Sequence, residues 1–335
     1  MKLERGRLRG LTEELRSRAE LGMKRDIQIA AKAFGRVTRS SWFPDGGSIV
    51  NGDDTAALRS ADGYTLFAAE GMRSEFVNAD PWFAGFCSVL VNANDVAAMG
   101  GRPWAVVDVL FLGDAGAERV LEGIVAASEL LGIPVVGGHT TRVPGPTELA
   151  VAVLGRAREL IRGDGAKPGQ KLVAAFDLRG TFRGAGNAFN AATTAPAAKL
   201  RAALAVLPEL AESGSVRAGK DISMAGTPGT LLMLCESSGV GAKLDLSRLP
   251  APPDVEPLRW LTAFPSFGFL LAVDASVAAS VCARFDAVGV TADVVGEITA
   301  TRHIELRLGD ERERYWDLAE APLTGFAPDD QRGAA

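Results

Sequence analysis

Acidic side chains at turns and inside an apolar segment are the residues of this sequence best suited to chemistry. Asp53 and Asp54 are adjacent in a Gly-Asp-Asp turn, Glu70 ends a predicted strand, and Asp95 interrupts the apolar run 89–99. A buried carboxylate is costly unless it is paired or binds a cation. Carboxylates are hard oxygen ligands that suit Mg²⁺, which usually keeps bound waters and bridges substrate phosphates. A second interpretation stays open here, in which Asp53 and Asp54 form only a tight turn and Asp95 bonds a neighbouring backbone group.

Motifs of several common catalytic classes are missing from the sequence. It has no Gly-x-x-x-x-Gly-Lys-Ser/Thr phosphate loop and no dinucleotide-binding fingerprint between a strand and a helix. The two histidines, His139 and His303, lie in different halves of the chain, so a Ser-His-Asp triad or a zinc site is poorly supported. Asn92 and Asn94 place further polar atoms beside Asp95 in the same apolar run, which favours a functional role for that segment.

The composition is that of a globular protein without general affinity for nucleic acid. Of the 335 residues, 47% are hydrophobic and 23% are charged, and this length predicts two domains. The formal net charge of -5 argues against nucleic acid or an anionic membrane surface as a partner. The sequence shows no secretory signal and no apolar stretch long enough to span a bilayer, so a cytoplasmic location is expected.

Apolar periodicity and turn residues predict alternating helices and strands, as in an α/β or α+β protein. Two amphipathic helices are expected within residues 1–37, the first with Thr12 as its N-cap and the second over 27–37. The further elements expected in the first half are a hairpin of 48–58 with 64–69, a helix over 81–99, a strand over 104–112, a helix over 116–131, and strands over 133–136 and 147–154. Gly137, Gly138 and His139 are expected between the last two strands.

Glycine, proline and lysine in the segment 163–170 predict a domain boundary, because they break regular structure before a new strand over 171–176. The sequence is therefore divided into a helical extension (1–25), an N-terminal domain (26–162), a C-terminal domain (163–318) and a loosely held tail (319–335). A helix over 191–206 is expected in the C-terminal domain.

Ordered motifs over residues 25–300 resemble the AIR-synthase-like superfamily. Residues 52–56 (Gly-Asp-Asp-Thr-Ala) are similar to an element of thiamine-monophosphate kinases, and residues 91–103 are similar to the Asn-x-x-Asp-x-x-Ala-Met-Gly-x-x-Pro signature of the superfamily. Residues 137–140 (Gly-Gly-His-Thr) and 221–226 (Asp-Ile-Ser-Met-Ala-Gly) look like segments of selenophosphate synthetase. Residues 262–269 are similar to a segment of AIR synthase.

The resemblance implies an N-terminal α/β domain of sheet and helices, which dimerises through its sheet, and a C-terminal α+β domain. It implies an enzyme that binds ATP and Mg²⁺ near the interface of a homodimer and phosphorylates or activates a small-molecule substrate. The residues carried over are Asp53, Asp54, Glu70 and Asp95 as metal ligands, His139 and Asp221 as catalytic residues, and Gly52, Asn92, Gly137 and Gly138 as nucleotide-binding residues. Arg142 follows the Gly-Gly-His-Thr-Thr segment and is a further candidate to bind a phosphate; the alternative is an arginine that is only solvated.

Two positions depart from the pattern of thiamine-monophosphate kinases. Met224 follows Ser223 where those kinases carry an aspartate, and His139 replaces another acid. Thiamine-monophosphate kinase therefore stays an alternative to an enzyme with a different acceptor. The same two residues favour a third hypothesis, a non-catalytic nucleotide-binding subunit that regulates a partner enzyme. The sequence does not identify the acceptor or the pathway.

Overall fold

A computed structural model describes residues 6–34, 51–113, 116–184 and 186–326. Contacts between residues divide the chain into two compact units. Unit I consists of residues 54–160 and 192–209. Unit II consists of the described residues within 1–53, 161–191 and 210–335. These contacts assign the N-terminal helices, with Gly52 and Asp53, to the same unit as the C-terminal half, whereas the sequence divided the chain at 163–170.

Unit I is built on a five-stranded sheet in the order β1-β2-β5-β3-β4. Its elements are β1 (Ala56–Ser60), β2 (Gly63–Met72), α4 (Ser74–Ala79), α5 (Pro81–Ala98), β3 (Arg102–Leu112), α6 (Ala117–Leu131), β4 (Val135–Arg142), β5 (Glu148–Ala157) and most of α7 (Ala197–Glu212). Strands β3 and β4 are parallel, and the other pairs are antiparallel. The parallel pair is connected through α6, since a parallel connection needs a crossover.

Helix α5 is buried along almost its whole length and carries the superfamily signature. Asp80 caps its first turn through a hydrogen bond from the backbone N–H of Phe83, and Pro81 occupies a position where no N–H is needed. The helix ends before Gly100, whose φ of +74° suits glycine. Residues on all sides of α5 are buried, so its polar side chains Asn92, Asn94 and Asp95 lie inside the unit.

Unit II begins with three helices, α1 (Leu8–Arg16), α2 (Ala19–Arg25) and α3 (Ile27–Phe34). A seven-stranded sheet in the order β15-β14-β10-β13-β6-β12-β9 forms most of the rest, and a small sheet in the order β11-β8-β7 adds to it. The strands are β6 (Lys171–Phe176), β7 (Thr181–Phe182), β8 (Ala188–Asn190), β9 (Ala218–Asp221), β10 (Gly241–Asp245), β11 (Phe264–Pro265), β12 (Gly268–Val273), β13 (Thr291–Thr299), β14 (His303–Leu308) and β15 (Glu311–Asp317), and the helices are α8 (Gly226–Ser238), α9 (Pro257–Leu261) and α10 (Ala278–Asp286).

Most predicted elements of both units are present, with several corrections. Thr12 does not cap α1; it lies inside the helix and donates to the backbone oxygen of Leu8. The Gly-Gly-His segment lies within β4 and not between two strands, because pairing with β3 extends that strand to Arg142. Helix α7 begins and ends six residues later than predicted. Residues 35–37 of the second predicted helix and residues 48–50 of the predicted hairpin lie outside the described part of the chain.

The C-terminal tail also differs from the prediction over its described part. Leu323 is fully buried and Thr324 is 6% exposed, whereas a loosely held tail was expected from residue 319. Residues 327–335 of that tail lie outside the described residues.

Candidate functional site

The candidate site in unit I is a row of polar residues across the helix-covered face of the sheet. Val151 on β5 lies opposite Glu70 on β2 and opposite Asp108 on β3. Directly opposed residues of antiparallel strands point to the same face, and adjacent strands are about 4.8 Å apart. Glu70 and Asp108 are therefore on one face, with their Cα atoms about 10 Å apart. Asn92 of α5 reaches the same point, because its amide Nδ2 donates to the backbone oxygen of Val151 over 3.0 Å.

Asn92 fastens α5 to the sheet. Its Nδ2 also donates to the backbone oxygen of Ser88 over 2.7 Å, so both amide hydrogens bond to backbone carbonyls within unit I. The side chain is fully buried, and its Oδ1 has no hydrogen-bond partner among the described residues. A buried acceptor in this state is costly, which makes it a candidate to receive a hydrogen bond from a ligand or water. Asp95, one turn further along α5, is 7% exposed.

Asp108 is a candidate site residue that the motif comparison does not contain. It lies between Val106 and Leu110, whose side chains are buried on the same face of β3. Its Oδ2 is buried without a hydrogen-bond partner in the described part of the chain, and burial raises the pKa of this carboxyl. The alternation of β3 contained the signal, since an aspartate occupies a position where the pattern requires an apolar residue.

The glycine at 138 makes room for that aspartate. Gly138 on β4 is the register partner of Asp108, and a Cβ atom at Gly138 would overlap the carboxylate of Asp108. This contact is one reason for glycine at position 138. It does not test the predicted role of Gly138 in nucleotide binding. Gly137, the neighbouring residue, is exposed and would have space for a side chain.

His139 and Arg142 are placed differently from the polar row. His139 is the register partner of Val109, which is 39% exposed, and its ring lies against Phe111 at 6.2 Å between centroids. Because residues alternate along a strand, His139 points to the face opposite Asp108 and α5. The sheet thus separates His139 from Asn92. Arg142 is exposed at the last position of β4.

Asp53 belongs to unit II and is already ion-paired there. Lys220 Nζ lies 3.3 Å from its Oδ1, with the two side chains only 6% and 5% exposed, respectively. The backbone N–H of Gly163 donates to its Oδ2 over 2.8 Å. A Cβ at Gly163 would crowd this carboxylate, so glycine is required for the close approach. Asp54, the next residue in the chain, belongs to unit I.

Asp221 lies beside Lys220 at the end of β9 and is 6% exposed. It is followed by the turn that leads into α8, in which Ala225 has the positive φ of +84°. This conformation is unfavourable for an alanine, and such strain is often found at functional turns. Thr230 Oγ1 accepts a hydrogen bond from the backbone N–H of Ser223, and Lys24 of α2 donates to the hydroxyl of Ser223.

The predicted metal ligands do not form a cluster in the described residues. No three His, Cys, Asp or Glu side chains among those residues lie close enough together to hold a metal ion. Of the four predicted ligands, Asp54, Glu70 and Asp95 belong to unit I and Asp53 to unit II.

Within the same described residues, no helix is both long and apolar enough to cross a membrane.

Comparisons with known proteins agree with this fold. Residues 52–157 match the family model of the AIR synthase related protein N-terminal domain, and residues 173–309 match that of the C-terminal domain. An uncharacterized protein of Synechocystis sp. is 42% identical over 324 residues, which cover 96% of this chain and 99% of the relative. Thiamine-monophosphate kinase of Synechococcus elongatus is 28% identical over 291 residues, covering 78% of this chain and 88% of that protein.

A solved structure shares the fold at low sequence identity. The structure of Thermotoga maritima PurL complexed with ADP superimposes with a TM-score of 0.68 at 20% identity, covering 78% of this chain. The match spans only 44% of the PurL chain, less than half of its length. With both domain models matched in order and a close relative matched over nearly its full length, the chain belongs to the AIR synthase related protein family, with the two-domain AIR-synthase-like fold.

Proposed function

We propose that this protein binds ATP with Mg²⁺ and uses the nucleotide to phosphorylate or activate a small molecule. The observation that carries the proposal is the row of oxygen donors in unit I, where Glu70, Asn92 and Asp108 surround Val151 beside the buried Asp95. Support comes from the shared fold of a PurL structure with bound ADP and from a relative named as a kinase. In this chemistry the protein positions the phosphates and neutralises their charge.

The donor set fits Mg²⁺ by type. Mg²⁺ is commonly held by one or two carboxylates together with waters and substrate phosphates, so a cluster of three acidic side chains is not required. One or two of the unit I carboxylates Asp54, Glu70 and Asp95 would hold it, and when bound it would neutralise charge on the nucleotide phosphates. Asp53 fits this role less well, because Lys220 already neutralises its charge in unit II.

Phosphate and acceptor binding are the roles that we propose for the remaining predicted residues. Exposed backbone at Gly137 leaves room for a ligand to approach, and the exposed guanidinium of Arg142 would bind a phosphate oxygen. Gly52 is proposed to bind the nucleotide through its exposed backbone, although the Phe326 ring lies where a Cβ atom would be. Asp221 is proposed to handle the proton of the acceptor. His139 was predicted for the same role, but it lies on the sheet face opposite Asn92 and Asp108, so an acceptor beside His139 would not lie next to that row. His139 is exposed on a sheet face, where only a bound substrate or a second subunit would enclose it.

A homodimer is proposed to cover the open face of the five-stranded sheet. Its strands expose large apolar side chains, namely Phe67 (47%), Trp104 (50%), Val107 (39%), Val109 (39%) and Val136 (64%). Exposed apolar groups at this density mark interaction surfaces. Sedimentation equilibrium is expected to show a dimer for the wild type and a monomer for Val109→Asp, whose charge would be buried in the interface. A wild-type monomer at micromolar concentration would contradict the dimer.

The test of the proposed function is ADP release with a set of small-molecule acceptors, among them thiamine monophosphate. Wild-type protein is expected to release ADP only with Mg²⁺ and the correct acceptor, and Asp54→Ala is expected to remain folded and release none. ADP release with thiamine monophosphate would identify the kinase alternative. Retention of Mg²⁺-dependent turnover by Asp54→Ala would remove that carboxylate from the site.

One observation favours a non-catalytic nucleotide-binding subunit as a second candidate. The Asp53 carboxylate is neutralised by Lys220, which reduces the negative charge available at the Gly-Asp-Asp turn. A regulatory subunit would show a higher melting temperature with ATP, as an enzyme would. It would not release ADP with any acceptor.

A further inference from the structure

A buried carboxylate in unit II binds the C-terminal part of the described chain. Glu236 is 1% exposed near the end of α8. It accepts hydrogen bonds from the backbone N–H groups of Leu323 (2.8 Å), Thr324 (2.7 Å) and Gly325 (3.1 Å), and from the hydroxyl of Thr324 (2.6 Å). Hydrogen bonds to an ionised group are about twice as strong as neutral ones. Four of them hold residues 323–325 against α8.

The same segment reaches the Gly-Asp-Asp turn. Phe326 directly follows the residues bound by Glu236, and its ring lies against Gly52, where a Cβ atom would overlap the ring. Gln28 of α3 supports the segment from another element, because its Nε2 donates to the backbone oxygens of Pro322 and Leu323, each over 3.0 Å. Residues 323–326, here called the 323–326 segment, therefore connect α8 to the residue preceding Asp53.

The next two residues of α8 contact Gly163, which is hydrogen-bonded to Asp53. The hydroxyls of Ser237 and Ser238 donate to the backbone oxygen of Gly163 over 2.7 and 3.1 Å. The N–H of Gly163 in turn donates to Asp53 Oδ2. The last turn of α8 thus holds Asp53 in two ways, through Gly163 and through the 323–326 segment.

We propose that Glu236 is a positioning residue, which acts through the 323–326 segment to hold Gly52 and Asp53 in place for ligand binding. The ion pair of Asp53 with Lys220 then depends on the 323–326 segment. Loss of the Phe326 ring leaves Gly52 without its packing partner, and the Gly52–Asp53 turn moves among more conformations. The consequence for nucleotide affinity rests on the proposed function, whereas the consequence for the Asp53 hydrogen bonds does not.

Amide hydrogen exchange at Gly163 tests the proposal without a ligand. Phe326→Ala removes the ring and leaves the buried carboxylate of Glu236 and its four donors intact. The Gly163 amide is expected to exchange about tenfold faster, the ratio for a weakened hydrogen bond to a charged group. Phe34→Ala is the matched control, since it truncates a phenylalanine of the same unit that is 56% exposed. Its exchange at Gly163 is expected to match the wild type.

Phe326→Leu is the milder variant, and intermediate exchange is expected for it. Exchange at Gly163 equal to that of the wild type in both Phe326 variants would overturn the proposal. Faster exchange throughout unit II, in place of exchange confined to Gly163 and the 323–326 segment, would also overturn it, because it would show a general loss of stability.

ATP titration with Mg²⁺ connects the segment to the proposed function. Phe326→Ala is expected to weaken ATP binding about tenfold in the wild-type background and not at all in the Asp53→Asn background, because both changes loosen the same turn of Gly52 and Asp53. Additive losses would overturn the route through Asp53. Failure of the wild type to bind ATP would reject the proposed function alone, and the exchange measurement would still decide the role of the segment.

Discussion

The two units of this protein differ in the hydrogen bonding of their buried side-chain oxygens. In unit II, the carboxylates of Asp53 and Glu236 are almost fully buried, and each oxygen has a hydrogen-bond donor. In unit I, buried oxygens of Thr55, Asn92 and Asp108 have no hydrogen-bond partner within the described residues. Buried polar groups that are fully hydrogen-bonded make a structure rigid. Buried polar groups without a hydrogen bond are costly unless a ligand or water supplies one. The unsatisfied oxygens of unit I are therefore candidates to accept a hydrogen bond from a ligand or water, whereas the unsatisfied side-chain atoms in the described part of unit II, Arg18 Nε and Arg302 Nε, are donors.

The sheets show the same contrast. Strand β12 of unit II is buried at every position, and its sequence GFLLAV is a continuous apolar run. Strand β4 of unit I is exposed at every position except Thr141 and is an edge strand. An exposed edge strand can pair with a strand of another chain, so proteins usually cover or shorten such edges. Unit I is thus the part of the molecule whose surface a second subunit or a ligand would complete.

The largest expected effect on stability is at Glu236. Glu236→Leu would leave three backbone N–H groups and one hydroxyl without their acceptor, two of the N–H groups in buried positions. We expect the free energy of unfolding in urea to fall by about 4 kcal/mol. A loss below about 1 kcal/mol would show that water replaces the carboxylate and that the segment is not held by it.

Breaking the buried ion pair is expected to have the next largest effect. Lys220→Met would leave the Asp53 carboxylate buried without its cation, which should cost about 3 kcal/mol of unfolding free energy. The double variant Lys220→Met/Asp53→Asn removes both charges and should recover most of that loss. If the double variant is as unstable as the sum of the single ones, the two residues are not coupled.

Neutralising a buried carboxylate of unit I should weaken ATP binding and leave the free energy of unfolding almost unchanged. Asp95→Asn keeps the size of a side chain that is 7% exposed. Calorimetric titration is expected to show about 100-fold weaker ATP binding in the presence of Mg²⁺, or about 2.7 kcal/mol. The free energy of unfolding should change by less than about 1 kcal/mol. The opposite pattern, a large loss of stability with normal binding, would make Asp95 a structural residue.

The smallest expected effect is at Asp108. Because burial raises the pKa of this carboxyl in the folded protein, its ionised form destabilises the fold at neutral pH. Asp108→Asn should therefore raise the melting temperature slightly at pH 7. That difference should shrink as the pH falls through the folded pKa and vanish below the unfolded value, about 3.9. A difference that is constant with pH would contradict the assigned cause.

Local patterns predicted much of the fold. The apolar run with Pro81 at its start and glycines at its end identified α5 within one residue, and the motifs on it identified the family. The glycine pair in β4 suggested a turn, because glycine pairs usually mark turns, and only pairing with β3 makes this segment a strand. Strand alternation could have identified Asp108 as well.

Long-range contacts could not be predicted from the sequence. Asp53 and Lys220 are 167 residues apart, and Glu236 and Leu323 are 87 apart. No periodicity relates such positions, because each pair is brought together by the packing of different elements. The sequence therefore did not show that Asp53 pairs with Lys220, and the tail was expected to be loose because its proline and aspartate content resembles that of exposed termini.

The dependence of ATP binding on Mg²⁺ is the most direct test of the proposed site. Calorimetric titration of the wild-type protein with ATP would be carried out once with Mg²⁺ and once with EDTA. We expect measurable binding with Mg²⁺ that is lost with EDTA and lost in Asp54→Ala with Mg²⁺ present. Equal affinity in Mg²⁺ and EDTA, or no ATP binding under either condition, would contradict this expectation.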